Sequence, residues 1–400
     1  VPDFVPFPAL RYASGPGTAD LTAVCAPPYD VVDPEQRADL LATDPHNSVR
    51  LILPDSYDAA ARALRDWQAD GTLVTEHDDT FSVYRMHFVD DDRRSRVTTG
   101  VIGALALDRD RVLPHERTLP KAKSDRLELL RATRANLDPI WGLSLASGLS
   151  ELLDVAADPV AVATDRDGVR HERFRLDDRG RADAIRAAVS AAPFVLADGH
   201  HRFETACAYH DERGPADGGA TAIMALVVEL APEQLCVRAI HRLLDGLADS
   251  RPRAALTASF EVHARGTNDA RGVDQLLVEM RERDGLGLVD GEGLALLTPR
   301  PELERAMETQ PAVLRDVDAA RFDVGVHAAL PDATLSYRDD AHTVATAVEK
   351  GEAGAAVLLR PVAVDTIRAA AEAGVRMPEK TTFFAPKPRT GIVFRLLDVV

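Results

Sequence analysis

Apolar and polar positions change period many times along this chain, and the changes predict short strands mixed with helices rather than one repeating unit. Near the start, Asp33-Pro34-Glu35 supplies a helix cap, a proline at the first helical position and an acidic first turn, so a helix should run through Leu41. The segment 26–32, Ala-Pro-Pro-Tyr-Asp-Val-Val, must be extended, because each proline restricts the residue before it. Residues 49–53 read as a strand and 57–67 as a helix. Two hairpins follow, 81–89 with 97–107 and 161–164 with 169–176, and helical spacing returns at 124–134 and 181–190. Residues 222–230 make a buried strand, and 236–244 carries His241-Arg242. Beyond a boundary at 248–253, residues 335–338, 343–350, 355–359 and 364–373 alternate strand and helix, as a βαβ unit does. Hairpins early and alternation late predict an α+β fold with mixed sheets and a C-terminal α/β region. The expected division is 1–110, 111–247 and 248–400.

One change of period is chemically pointed. Phe194 to Ala197 is an apolar run suited to a buried strand, Asp198-Gly199 is a turn signal, and His200-His201-Arg202 opens a helix-compatible stretch. A helix start carries unpaired N–H groups that attract anions. Cationic residues in a first turn oppose the helix dipole, a conflict that a bound anion would remove. An ordinary surface turn with two histidines and an arginine is the competing reading.

Composition narrows the options. At 400 residues, 46% hydrophobic and 28% charged, the chain has material for two or three domains. A net charge of −17 argues against general nucleic-acid or anionic-membrane binding, which needs clustered Lys and Arg. Cys25, Cys207 and Cys236 lack the spacing of a zinc or redox motif. No apolar segment reaches a membrane span and no secretory leader pattern is seen, so a cytoplasmic setting is expected.

No Walker-type loop occurs, and Gly285-Leu286-Gly287 and Gly291-Glu292-Gly293 do not complete a dinucleotide fingerprint. Any nucleotide must be held by another turn, and Asp198 to Arg202 is the candidate. His115-Glu116-Arg117-Thr118 with Lys121 and Lys123 forms a second polar cluster, either a solvated loop or a source of a general base and phosphate clamps. Pro378 to Lys387 forms a third, whose prolines and aromatics suggest a fixed, packed loop with Lys380 and Lys387 either lining a pocket or staying in water. His200 and His201 are adjacent and would diverge on a helix, so zinc is not expected; a metal-dependent hydrolase is a further alternative, and a Ser-His-Asp hydrolase ranks below it because no Gly-x-Ser-x-Gly elbow occurs.

Taken together, Ala26-Pro27-Pro28-Tyr29-Asp30-Val31-Val32, His115-Glu116-Arg117-Thr118 with Lys123-Ser124-Asp125-Arg126, Asn136-Leu137-Asp138-Pro139-Ile140, Ala197 to Ala206, His241-Arg242 and Met377 to Phe384 resemble the motifs of the domain-of-unknown-function 1015 (DUF1015) family. The resemblance runs over nearly the whole chain. The Asp-Gly-His-His-Arg turn is in addition similar to that of free-serine kinases built on the ParB/sulfiredoxin fold. That likeness implies a strand–turn–helix nucleotide site within 111–247 and an ATP- or ADP-dependent small-molecule kinase using Mg²⁺, with free L-serine as the leading acceptor. It also leaves a ParB-like nucleotide-binding regulator or slow NTPase as an alternative. The residues carried over from the likeness are Asp198, Gly199, His200, His201 and Arg202, and Lys121, Lys123 and Arg126 are expected beside them as phosphate-binding residues. Asp198 would orient Mg²⁺ or the acceptor hydroxyl, and Glu116, Asp30 and His201 are the other catalytic candidates. His115, Arg117, His241 and Lys380 are expected on the substrate side.

Overall fold

The computed structural model describes residues 3–15, 17–117, 123–214, 217–247 and 251–398, with the backbone alone described for Lys123 and Ser124. Lys121 and Thr118 therefore lie outside the described residues. The chain divides into two compact units, one formed by Val1–Pro114, Pro120–Cys236 and Pro386–Val400, the other by His115–Leu119 and Val237–Ala385.

The first unit is organised by a ten-stranded mixed sheet. Its centre runs through Arg170–Leu176, Phe81–Val89, Ser95–Ala106, Ala222–Glu229, Ile140–Ser144 and Phe194–Asp198, in that spatial order. Most neighbours are antiparallel, but Ala222–Glu229 runs parallel to Ile140–Ser144, and Phe194–Asp198 runs parallel to the edge strand Val112–Pro114. The central strands are apolar on both faces, as Ile223 to Val228 shows, because helices cover them. The helix Arg179–Ser190 contributes Ile185 and Val189 to this core, and the helix His200–Arg213 contributes Phe203, Ala206 and Cys207. Sheet pairing joins Ser95–Ala106 to Ala222–Glu229, so residues expected to fall on either side of 110 share one sheet.

One contact in this sheet depends on a missing side chain. Gly142 lies under the Phe194 ring, and a Cβ there would stand 1.6 Å from Phe194 Cζ. Glycine lets the ring lie flat over the neighbouring strand at the point where the chain heads for the Asp198 turn.

The second unit holds a six-stranded sheet ordered Phe260–Gly266, Gly293–Pro299, Leu286–Asp290, Ala355–Leu358, His241–Asp245 and Thr334–Arg338. Every adjacent pair is antiparallel. The expected alternation of strand and helix is present: Thr334–Arg338, the helix Ala341–Glu349 and Ala355–Leu358 follow one another. The two strands are not neighbours, however, because His241–Asp245 is inserted between them, which makes the unit a split βαβ. Helices Ala270–Glu282 and Ala341–Glu349 pack Leu276, Met280 and Val344 onto one sheet face.

Two local expectations are corrected. Val49–Ile52 is a helical turn rather than a strand: the Asn47 side chain accepts a hydrogen bond from Val49 N at 3.0 Å, and Ser48 O accepts from Leu51 N at 2.9 Å. That local capping outweighs the strand preference of Val and Ile. Tyr29–Val31, inside the segment 26–32 expected to be extended, is a short helical turn: the prolines restrict only the residues before them, and Val31 N donates to the Pro28 carbonyl at 3.2 Å.

Candidate functional site

The strand Phe194–Asp198 pairs with Ile140–Ser144 in regular register as far as Leu196 and Gly142, then slips by one residue so that Asp198 faces Trp141. Such a bulge re-aims the next side chain. Gly199 follows at φ 86°, the left-handed conformation that glycine adopts without strain, and the helix His200–Arg213 begins with no side-chain cap. Asp198, Gly199, His200, His201 and Arg202 are all partly exposed. The helix is anchored from below by Phe203, Ala206 and Cys207. Its last turn carries His210 and Arg213, which suit the dipole, whereas its first turn carries Arg202, which does not.

Two cations converge on the Asp198 carboxylate. Lys387 Nζ lies 3.2 Å from Oδ2, and Arg202 Nη2 lies 3.3 Å from the same oxygen. Burial by itself would push the Asp198 carboxyl up. Lys387 and then Arg202 outweigh burial and hold it well below the usual carboxylate range. Arg202 Nη1 also donates to the Pro139 carbonyl, which ties the turn to the segment entering Ile140–Ser144.

Lys387 arrives on a segment that is fixed at several points. Arg389 N donates to Tyr84 Oη at 3.0 Å, Thr390 N donates to the Ala26 carbonyl at 2.9 Å, and Ser48 Oγ donates to the Thr390 carbonyl at 3.2 Å. Tyr84 itself is held by His171 Nδ1 at 2.7 Å, with both side chains buried. Thr390 Oγ1 hydrogen-bonds the buried Asp138 carboxyl. Burial raises that carboxyl above its ordinary value, more than Arg202 and Thr390 bring it down.

Arg126 and Asp30 belong to the same unit. The Arg126 guanidinium lies 4.3 Å from the centre of the Tyr29 ring, donates to the Ile52 carbonyl at 2.7 Å and pairs with Asp125. Asp30 sits exposed in the short helical turn Tyr29–Val31, within the electrostatic reach of Arg202. Lys123 opens the helix Lys123–Thr133.

The remaining candidates lie in the second unit, and there they are woven into its own framework. His115 is buried, with Nε2 2.6 Å from Thr382 Oγ1. Glu116 Oε2 accepts from Thr381 N at 3.1 Å and lies 3.6 Å from His115 Nε2. Arg117 pairs with Asp323 at 3.5 Å. His241 Nδ1 accepts from Leu359 N at 3.1 Å, and burial lowers its pKa to about 4, so the ring is neutral at physiological pH. Lys380 takes a left-handed conformation at φ 55°, and its carbonyl accepts from the buried Arg242 guanidinium at 2.8 Å. Arg242 in turn lies 5.2 Å from the Tyr337 ring centre.

Two residues that matter to these arrangements, Asp138 and Arg242, are not among the sequence-derived site residues, whereas Lys387 belongs to the third polar cluster, for which lining a pocket is one of two readings. Asp138 and Arg242 stand inside recognisable motifs, and Lys387 lies between two prolines, the mark of a fixed segment. Among the described residues no three His, Cys, Asp or Glu side chains converge as a metal site. No helix among them is long and apolar enough to cross a membrane.

Solved structures align with this chain at low identity. A conserved hypothetical protein from Pyrococcus furiosus aligns over 76% of this chain and 98% of its own, with 15% identity and a TM-score of 0.38. Free serine kinase in complex with AMP aligns over 75% of this chain and 93% of its own, with 14% identity and a TM-score of 0.39. SbnI with a C-terminal truncation, from Staphylococcus aureus, aligns over 74% and 89%, with 12% identity and a TM-score of 0.35. No curated protein matches the chain. The family model described as protein of unknown function (DUF1015) matches residues 4–320, most of the chain. The protein is a member of the DUF1015 family.

Proposed function

We propose that this protein is a nucleotide-dependent phosphotransferase that phosphorylates a small hydroxyl metabolite, with free L-serine as the leading acceptor. The observation that carries the reading is the convergence of Arg202 and Lys387 on Asp198, at an uncapped helix start preceded by a left-handed glycine. Phosphoryl transfer needs little covalent chemistry from a protein; it needs positioning and neutralisation of charge on the transferred group. Two cations beside a helix N-terminus are what a nucleotide phosphate requires.

In this reading, Gly199, His200, His201 and Arg202 cradle the phosphates, and Arg202 and Lys387 exchange their hold on Asp198 for phosphate oxygens. Asp198 suits Mg²⁺, because that ion needs only one or two protein carboxylates beside its phosphate ligands and Asp198 is held ionised. Mg²⁺ held there would neutralise charge on the bridging phosphate oxygens. Asp30, which shares a unit with the turn, is the candidate base, and Arg126 is proposed to steady phosphate oxygens.

The test is direct. Pure protein is incubated with ATP or ADP, Mg²⁺ and a panel of amino acids and sugars, and phosphorylated products are sought by mass spectrometry. A phosphorylated acceptor, O-phosphoserine first, is the expected result. Nucleotide binding without transfer to any acceptor would refute the kinase reading in favour of a ParB-like regulator or slow NTPase. Arg202→Ala should abolish nucleotide binding, and unchanged affinity would remove the turn from the site.

A further inference from the structure

An open cavity lies along the helix His200–Arg213 within the first unit. Its walls are largely apolar, built from Ile52, Leu129, Leu130, Leu137, Ala206 and Ile223. Arg202 is part of the lining, so the cavity opens beside the turn. Arg202, Thr205 and Ala206 are spaced i, i+3 and i+4 and therefore share one helix face.

The charged groups on the lining already have partners inside the protein. Arg126 pairs with Asp125, Arg202 pairs with Asp198, and Asp138 hydrogen-bonds Thr390. Thr205 differs: it is 5% exposed, and its Oγ1 is buried without a hydrogen-bond partner. Buried hydroxyls are ordinarily satisfied, often by the preceding turn of their own helix. A flat body with apolar faces and one hydrogen-bonding edge would need only the Thr205 hydroxyl.

We propose that this cavity receives the nucleobase of the nucleotide, with Thr205 Oγ1 hydrogen-bonding its edge and the leucine and isoleucine side chains covering its faces. The assignment rests on the reading that the turn holds the phosphates. From Gly199 to Thr205 the helix rises about 9 Å, a span that an extended nucleoside diphosphate bridges.

Calorimetric titration with two probes, ADP and inorganic pyrophosphate, separates the two assignments. Ala206→Leu fills the cavity and should weaken ADP binding about tenfold or more while leaving pyrophosphate affinity unchanged. Thr205→Val keeps the shape, removes the hydroxyl and should weaken ADP several-fold, again sparing pyrophosphate. Variants that bind ADP as the wild type does would overturn the base assignment and leave the phosphate turn standing. A wild type that binds neither probe would overturn both. Photo-crosslinking of the unaltered protein with 2-azido-ADP gives a readout that needs no variant. Label within 126–137 or 202–206 is expected, and label confined to other segments would overturn the assignment.

Discussion

Replacing Asp198 with asparagine keeps the shape of the turn and removes the charge that holds Lys387 and Arg202 at 3.2 and 3.3 Å. At an effective dielectric of about 20, each contact is worth about 5 kcal/mol before desolvation. Desolvation returns most of that, so a net loss of about 2–3 kcal/mol is expected from Asp198→Asn. Because the folded carboxyl is held below its ordinary value, its contribution is full above the unfolded value and disappears as pH falls towards the folded one. The wild type should therefore exceed the variant fully at pH 7, and the gap should shrink below about pH 4. Anion binding should change in the opposite sense. With two cations left uncompensated, pyrophosphate should bind the variant more tightly than the wild type when Mg²⁺ is omitted. Urea unfolding at the two pH values and calorimetric titration give both quantities. A variant that is less stable yet binds pyrophosphate no better would show that the cations serve the fold and face no anion, and the reasoning would fail.

Other consequences follow from the packing around the turn. Gly142→Ala puts a Cβ 1.6 Å from Phe194 Cζ, so a loss of stability of about 3 kcal/mol is expected by denaturant unfolding; a neutral result would contradict the close approach. Tyr84→Phe leaves both Arg389 N and His171 Nδ1 without the phenol oxygen and should cost about 1–3 kcal/mol. Protection of the Lys387, Arg389 and Thr390 amides in hydrogen exchange should fall with it, and unaltered protection would show that Tyr84 does not fix that segment. Asp138 has the opposite titration from Asp198: its folded carboxyl is raised, so the wild type loses stability as pH rises from the unfolded value towards the folded one. Asp138→Asn should gain on the wild type across that rise, and parallel stability profiles would count against a buried, reluctantly ionised carboxyl.

The turn itself was legible because its signals are local. An apolar run, Asp-Gly and a cationic helix start occupy nine consecutive residues of the sequence, 194–202, and the structure places strand, left-handed glycine and helix there. The helix beginning at Pro34 was legible for the same reason, since Asp33 accepts from Gln36 N as a cap should. What depends on distant chain was not legible. Lys387 reaches Asp198 only because Tyr84, Ala26 and Ser48 fix the 386–390 segment, and no local pattern encodes those partners. The alternation of strand and helix after residue 334 was visible, but periodicity says nothing of which strand pairs with which. The inserted His241–Asp245 strand could not be read from it. Val49–Ile52 shows the same limit at short range, where Asn47 and Ser48 turn a strand-forming sequence into helix.

The central claim, that the turn from Asp198 to Arg202 holds nucleotide phosphates, is tested most directly by a crystal structure of the protein soaked with a non-hydrolysable ATP analogue. The account predicts phosphate density within hydrogen-bonding distance of the Gly199–Arg202 amides, with Arg202 and Lys387 turned from Asp198 onto phosphate oxygens. Nucleotide bound elsewhere, with the Asp198 ion pairs undisturbed, would contradict it.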